Sequence, residues 1–326
     1  MGKQQNLSTL RVAAIQVESK LGCIEANHAH AAPFIEQAAR DGAKLIILPE
    51  LFAGGYMPNQ DVWNSAEAEG GPTVRWLKKM SGELGIYLGA GLAETDGKDF
   101  YNVFVLTDPD GKVAGRAQKA NAESYCFKRG KGSHIIETAI GKLGVGICAD
   151  NHRTSFLKLM HTNCIDMMLM PHAWPTPYRQ SGIVSGDDLE NAGKKVEMLA
   201  ELYARSLGVP VIFVNQTGPM GPMAGFFGKL MKPELFRLQG GSRIVDSDGK
   251  LKTYMGSREG VLVADVTLDP ARKCYIEPKN YGGWLHPGSV LVRKVIFPVE
   301  GFIGTISYSL HMKRRRGKAG KCSTSR

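Results

Sequence analysis

Four stretches of this sequence are almost unbroken apolar runs: AKLIIL at residues 43–48, LGVGI at 143–147, IDMMLM at 165–170 and PVIFV at 210–214. A strand with one wet face alternates polar and apolar residues, whereas a solid apolar run needs cover on both faces. Each run has strand length and is too short for a buried helix. Segments with helical spacing stand between them. Residues 27–41 put Ala31, Phe34, Ile35, Ala38 and Ala39 on one stripe and stop at Gly42, and residues 73–84 do the same with Val74, Leu77 and Met80. Residues 154–163 give a third helix. Residues 191–207 give the longest, with Val196, Leu199, Ala200, Tyr203 and Ala204 on its stripe and Gly208 after it. The chain is α/β throughout.

Further strands are expected over residues 11–16, 85–93, 101–107, 112–118, 241–246 and 260–266. DPDG at 108–111 makes a hairpin of two of them, and DSDGK separates the last two. Residues 176–190 and the Gly/Pro/Met-rich 218–228 read as loops, and 271–310 as less regular strands with an extended C-terminal arm. No GxGxxG follows the first strand, and Gly144 and Gly146 lack its spacing, so a dinucleotide-binding fold is a poor match. Hairpins imply mixed sheets. A two-sheet α/β sandwich with helices on its outer faces accommodates them, and no linker-like break divides it.

Other classes fall away on composition. No run is long enough to cross a bilayer and the opening MGKQQNLSTLRVAAIQV has no signal-peptide pattern, so a cytoplasmic protein is expected. Six cysteines without a CxxC pair argue against a disulfide scaffold or a zinc ribbon. Cys148, Asp150 and His152 alternate and would share a face in an extended segment, but no second ligand cluster accompanies them, so no metal is expected. The formal charge of +10 is concentrated in HMKRRRGKAGKCSTSR at 311–326, without which it falls to +3. That places the basic balance in a tail rather than in a groove on the fold. The tail reads as a disordered, solubilising terminus, and nucleic-acid contact is not its expected role.

Three reactive groups arrive where strands end: Glu50 after AKLIILP, Lys119 after VAGRAQ, and Cys148 after LGVGI. Alone, each has an ordinary alternative, as a helix cap, a surface amine or a packed thiol. Together they form a chemically complete set. A thiol needs a base, and a carboxylate whose proton affinity is raised by burial supplies one. Acyl transfer creates an oxyanion, which an ammonium (Lys119) and a backbone N–H (Ala149) would stabilise.

The segments around these residues resemble the carbon–nitrogen hydrolase, or nitrilase, superfamily. PELF (49–52), GRAQK (115–119) with Phe127 and Gly130 after it, GVGICAD (144–150), ARSLGVPVIFVNQTG (204–218) and GGSRIVDSDGKL (240–251) stand in that family's order. The resemblance covers about residues 11–300 as one hydrolase domain and leaves 301–326 as a C-terminal extension. It implies a four-layer αββα sandwich and a catalytic Glu50, Lys119 and Cys148. It adds a second glutamate seven residues before Gly130, which is Glu123, to position the water or the amine. It implies no cofactor, and homo-oligomers built through helices near the nucleophile and C-terminal arms, for which residues 218–228 and 271–310 are candidates. The implied reaction is hydrolysis of a non-peptide carbon–nitrogen bond in a small amide, N-carbamoyl compounds included, through a cysteine thioester. A nitrilase and a non-catalytic assembly or regulatory homologue are the alternatives.

The chain also departs from the family pattern. KANAES has Asn121 where histidine is common, and Ala149 stands where an aromatic usually follows the cysteine. Asp150 keeps the acid, and NHRTSF replaces a Pro-Glu ending. The missing tryptophan favours an amide over a nitrile. Ala149 leaves room beside the thiol, and His152 and Arg153 put cationic donors near it. In PHAWP (171–175), His172 and Trp174 are further candidates for substrate contact, as donor and apolar wall.

Overall fold

The computed structural model describes residues 7–182, 184–287, 292–311 and 314–316, apart from the side chains of residues 193, 195–197 and 292. In chain order the elements are β1 (Ser8–Gln16), α1 (Ile24–Arg40), β2 (Leu45–Ile47), β3 (Glu67–Ala68), α2 (Pro72–Leu84), β4 (Tyr87–Thr95), β5 (Phe100–Thr107) and β6 (Val113–Gln118). The second half continues with β7 (Ile135–Thr138), β8 (Gly141–Val145), α3 (Thr154–Thr162), β9 (Met167–His172), β10 (Pro175–Pro177), α4 (Gly186–Leu207) and β11 (Val211–Asn215). After these come β12 (Thr217–Gly218), α5 (Gly225–Leu230), β13 (Phe236–Gln239), β14 (Arg243–Val245), β15 (Leu251–Tyr254), β16 (Gly260–Leu268) and α6 (Phe297–Leu310).

One sheet runs β16-β1-β2-β4-β5-β6, with β3 beside β4, and the other runs β15-β14-β11-β9-β8-β7. Each has a parallel centre, β1-β2-β4 and β8-β9-β11, and antiparallel flanks. A small third sheet, β10-β13-β12, lies apart. Side-chain alternation explains the layering. In β1, Val12 and Ala14 meet Leu143, Val145, Leu169 and Ile212 of the facing sheet, while Ala13 and Ile15 pack under Ile35 of α1 and Leu77 of α2. On the other side, Met168, Met170 and Phe213 are covered by Leu157 of α3 and Tyr203 of α4. The result is an αββα sandwich, and the apolar runs are the strands buried on both faces.

Several expectations need correction. Helix α4 starts at Gly186 rather than 191, because Ser185 and Asp188 form a reciprocal capping box. The loops at 176–190 and 218–228 contain β10, part of α4, β12 and α5, and β15 intervenes between the last two core strands. The C-terminal arm is not strand but the helix α6, with Pro298 in its first turn, where a missing N–H is harmless. In the basic tail, residues 314–316 are helical, and Arg315 is buried over the Tyr308 ring, 3.5 Å from Asp99. The rest of that tail lies outside the described residues.

Candidate active site

Glu50 follows β2, where Gly91 of β4 passes so closely that a Cβ there would stand 2.6 Å from the Glu50 Cα. The next residue, Leu51, has φ +50°. The carboxylate is completely buried and fully engaged. Its Oε1 accepts from Asn102 Nδ2 at 2.8 Å and from Lys119 Nζ at 2.6 Å, and its Oε2 accepts from the Ala173 N–H at 2.8 Å. Gln216 holds the main-chain carbonyl at 2.6 Å.

Lys119 leaves β6 with its N–H on the Asn102 carbonyl (2.8 Å) and its carbonyl on the Gly130 N–H (2.9 Å). Gly130 is required there, since a Cβ would approach the Gln118 carbonyl oxygen to 2.5 Å. The buried ammonium donates to Glu123 Oε1 at 2.5 Å as well as to Glu50. Glu123 Oε1 also accepts from the Tyr56 hydroxyl (3.3 Å), while its Oε2 is buried without a protein partner.

Cys148 opens a 3₁₀ turn, Cys148–His152, with φ +44°, a conformation that non-glycine residues seldom adopt. Such strain gathers at functional sites. The Ala173 N–H that serves Glu50 also faces the thiol, so both groups share one amide. Ala149 is second in the turn, where helix geometry gives its N–H no intrahelical acceptor. The turn corrects the extended Cys148/Asp150/His152 face: Asp150 instead takes the backbone N–H of Ala120 (3.3 Å) and Asn121 (2.7 Å), with Asn121 Nδ2 at 2.9 Å. These contacts tie the cysteine turn to the lysine loop, and they give the atypical Asn121 a structural role.

Charge and burial compete here. Burial pushes the Glu50 carboxyl up, Lys119 pulls it down, and Glu123 pushes it up again; the net shift is upward. Burial opposes the Lys119 ammonium, but the carboxylates of Glu123 and Glu50 outweigh it and hold the proton firmly. Burial, then Glu50, raises the Cys148 thiol well above its ordinary value despite Lys119. The resting cysteine is therefore a thiol, set beside the Lys119 ammonium and the glutamates that flank it.

A cavity of about 320 Å³ opens beside these groups, bounded by Glu123, Ala149 and Arg153 and walled by Tyr56, Phe227 and Trp284. Arg153 lies with its guanidinium 3.7 Å over the Trp284 ring. The other three candidate substrate contacts do not line this cavity. His172 is fully buried, with Nδ1 on the Met170 carbonyl at 3.0 Å, and burial pushes it down to about 3. His152 pairs with His286 (3.1 Å) and stands edge-on to Trp174, and burial followed by its histidine neighbours lowers it as well. The Trp174 N–H is held by Asn215 Oδ1 at 2.8 Å.

The carbon–nitrogen hydrolase family model matches residues 11–275. The chain belongs to that family. A nitrilase of Pyrococcus abyssi is 31% identical over 182 residues, spanning 51% of this chain and 69% of that protein. Among solved structures, a carbon–nitrogen hydrolase from Helicobacter pylori superposes with a TM-score of 0.68 at 20% identity, over 81% of this chain and 91% of its own. An amidase from Nesterenkonia sp. gives 0.64 at 20% identity, over 80% and 91%. These two establish the shared fold.

Sequence reasoning missed Asn102, Tyr56 and Gln216, which hold the acid groups in place. Asn102 lies within the strand run 101–107 and carries no signal until its opposite number across the sheet is known. Gln216 and Asn215 stand at the end of VIFV, a strand end like those that deliver Glu50 and Cys148, and that signal could have drawn attention to them.

Proposed function

We propose that the protein hydrolyses a non-peptide carbon–nitrogen bond of a small amide through a thioester on Cys148. The observation that carries this reading is the buried Glu50–Lys119–Glu123 chain set against a strained cysteine that shares the Ala173 amide with Glu50. Because the thiol is held protonated, Glu50 takes its proton as sulfur attacks the carbonyl carbon, with no prior thiolate. The C–S bond forms and the C=O π electrons move to oxygen. That oxyanion is met by the Ala149 N–H and the third N–H of Lys119, the other two being committed to glutamates. Collapse breaks the C–N bond, and Glu50 gives its proton to the departing ammonia or amine. Water then loses a proton to Glu50 and attacks the thioester, with the unpartnered Glu123 Oε2 available to orient it. The C–S bond breaks, and the sulfur recovers the proton from Glu50.

The pyrococcal relative's name supports a second reading, in which a nitrile passes through a thioimidate on the same cysteine. Ala149, in place of a tryptophan after the cysteine, supports the amide. Ammonia release from chain-matched amides and nitriles, with carbon dioxide followed for N-carbamoyl compounds, separates them. Cys148→Ala is expected to abolish turnover and leave the melting temperature unchanged. Turnover that survives the substitution refutes the scheme. A wild-type protein inert to the whole panel, whose Cys148 resists thiol reagents, is a non-catalytic homologue.

A further inference from the structure

Helix α6 has two faces, and one is the reverse of what a surface helix shows. Glu300, Gly304 and Tyr308, four residues apart, point into the protein. Val299, Phe302, Ile303, Ile306 and Leu310 form a second stripe that stands in solvent, Phe302 being 68% and Leu310 79% exposed. Val295, in the π-helical turn before α6, extends it. An apolar stripe turned outward marks a surface that something covers.

The chain on either side of the stripe is basic, and the acids that reach its C-terminal end from elsewhere, Asp99 and Asp61, are paired with Lys128 and Arg315 and with Arg314. After Glu277 the sequence holds a single acid, Glu300. Its carboxylate faces inward, accepting from the Phe226 N–H and from the Tyr125 hydroxyl (3.0 Å). Arg293 and Lys294 precede the stripe, and KRRRGKAGK at 313–321 follows it. Along the flank of α6 runs a groove of about 590 Å³ lined by Lys128, Arg129, Arg153 and Arg293 with Phe297 and Phe302, and, among the described residues, by no Asp or Glu. Lys128 is paired with Asp99 at 2.6 Å. Arg129 donates to the Ala120 carbonyl, Arg153 lies over Trp284, and Arg293 donates to the Tyr281 carbonyl. Among the described residues none of these three arginines pairs with a carboxylate. Like charges collected in one groove repel one another, and planar guanidinium groups suit phosphate oxygens.

We propose that this face docks on an anionic phospholipid bilayer, with Phe302, Ile306 and Leu310 entering the boundary between headgroups and acyl chains and Arg129, Arg153 and Arg293 receiving lipid phosphates. Apolar area and basic charge are the two terms that hold an interfacial helix to such a surface. The helix lies in the surface. Its 14 residues span about 21 Å, short of the ~30 Å hydrocarbon layer, and no helix among the described residues is long and apolar enough to cross it. A second copy is a poorer occupant, because an isologous contact through the stripe brings two acid-free basic segments together. Phe297 and Gly301 also wall the cavity beside Glu123, so docking sets that cavity next to the lipid.

The test is co-sedimentation of the full chain with phosphatidylcholine vesicles, with and without phosphatidylglycerol, in competition with soluble glycerol phosphate and with single-stranded RNA. The protein is expected to sediment with the anionic vesicles, less so as salt rises, and to resist both competitors. Lys294→Gln and Arg316→Gln should each weaken binding about fivefold. Phe302→Asp and Leu310→Asp should each weaken it at least roughly tenfold, with an unchanged melting temperature because both side chains are exposed. Equal binding to neutral vesicles, no binding, or indifference to the Asp variants overturns the proposal. So does displacement by glycerol phosphate or RNA. A dimer that Phe302→Asp dissociates, in protein that ignores vesicles, assigns the face to a second copy.

Discussion

Glu123→Gln separates what the second glutamate does from what the buried chain does as a whole. The substitution keeps the shape and removes one charge from Lys119, whose ammonium stays paired with Glu50 at 2.6 Å. Lys119 gives up a charge-assisted hydrogen bond of 2.5 Å, of a kind worth about 1.5–3 kcal/mol. If the bond matters to the same extent in the transition state, kcat/KM falls by about 10- to 150-fold. Two titrations should move in a known direction. Glu123 raises both the Glu50 carboxyl and the Cys148 thiol by its charge, so removing it lowers both. The acidic limb of kcat/KM, where Glu50 must be ionised, shifts to lower pH. Alkylation of Cys148 by iodoacetamide at a fixed neutral pH becomes faster. A variant that reacts faster as a thiol and turns over more slowly as an enzyme is hard to explain by unfolding, which the melting temperature would report. Unchanged turnover, or an acidic limb that moves up, refutes the reasoning.

Two further outcomes follow from packing and burial. At Gly146 a Cβ would stand 1.8 Å from Asn151 Oδ1, inside the cysteine turn, so Gly146→Ala should destabilise the protein by about 1–3 kcal/mol and change the alkylation rate of Cys148; urea unfolding and thiol labelling that match the parent would contradict this. His172 is held neutral with a folded value of about 3 against 6.5 when unfolded. Between those values the unfolded chain binds a proton that the folded chain refuses, so stability is fully present above pH 6.5 and falls by about 1.4 kcal/mol per pH unit below it. His172→Phe should make the acid side of the urea-midpoint profile shallower by one proton, and an unaltered slope would count against it.

The parts of the site that could be read from the sequence are those whose signal is local. AKLIIL and LGVGI are strands because no other element buries such short runs, and their ends bring Glu50 and Cys148 into view. The lysine is legible because a hairpin turn at 108–111 sets where β6 begins, and a strand of ordinary length from there ends just before Lys119. What stays hidden depends on pairing across distance. Asn102 holds Glu50 only because β5 lies between β4 and β6, and the Ala173 amide reaches both Glu50 and the thiol only once the two sheets face each other. Helix α6 departs from the expected strand because VIFPVEGFIGTIS is rich in β-branched and aromatic residues, whose strand preference is a weak prior that tertiary placement of Glu300, Gly304 and Tyr308 overrides.

The two sheets contribute different halves of the chemistry, and this sets what controls it. Glu50, Asn102 and Lys119 belong to the sheet built around β2, β5 and β6, whereas Cys148 and Ala173 follow strands β8 and β9 of the other. The separation between base and thiol is therefore an inter-sheet distance, held by the layer in which Ile47 and Phe104 meet Val145 and Leu169. Interiors packed to crystal-like density transmit small volume changes rather than absorb them. The amide shared at Ala173 and the Asp150 bonds to Ala120 and Asn121 act as two clasps across that seam. Lys119 is held by a carboxylate at the end of β2 in its own sheet and by another in its own loop, so a shift of one sheet moves Glu50 and Lys119 together and leaves their pairing intact while the thiol falls out of reach. Substitutions far from the cavity, in the inter-sheet core, should thus act on turnover with the Glu50–Lys119 pair undisturbed.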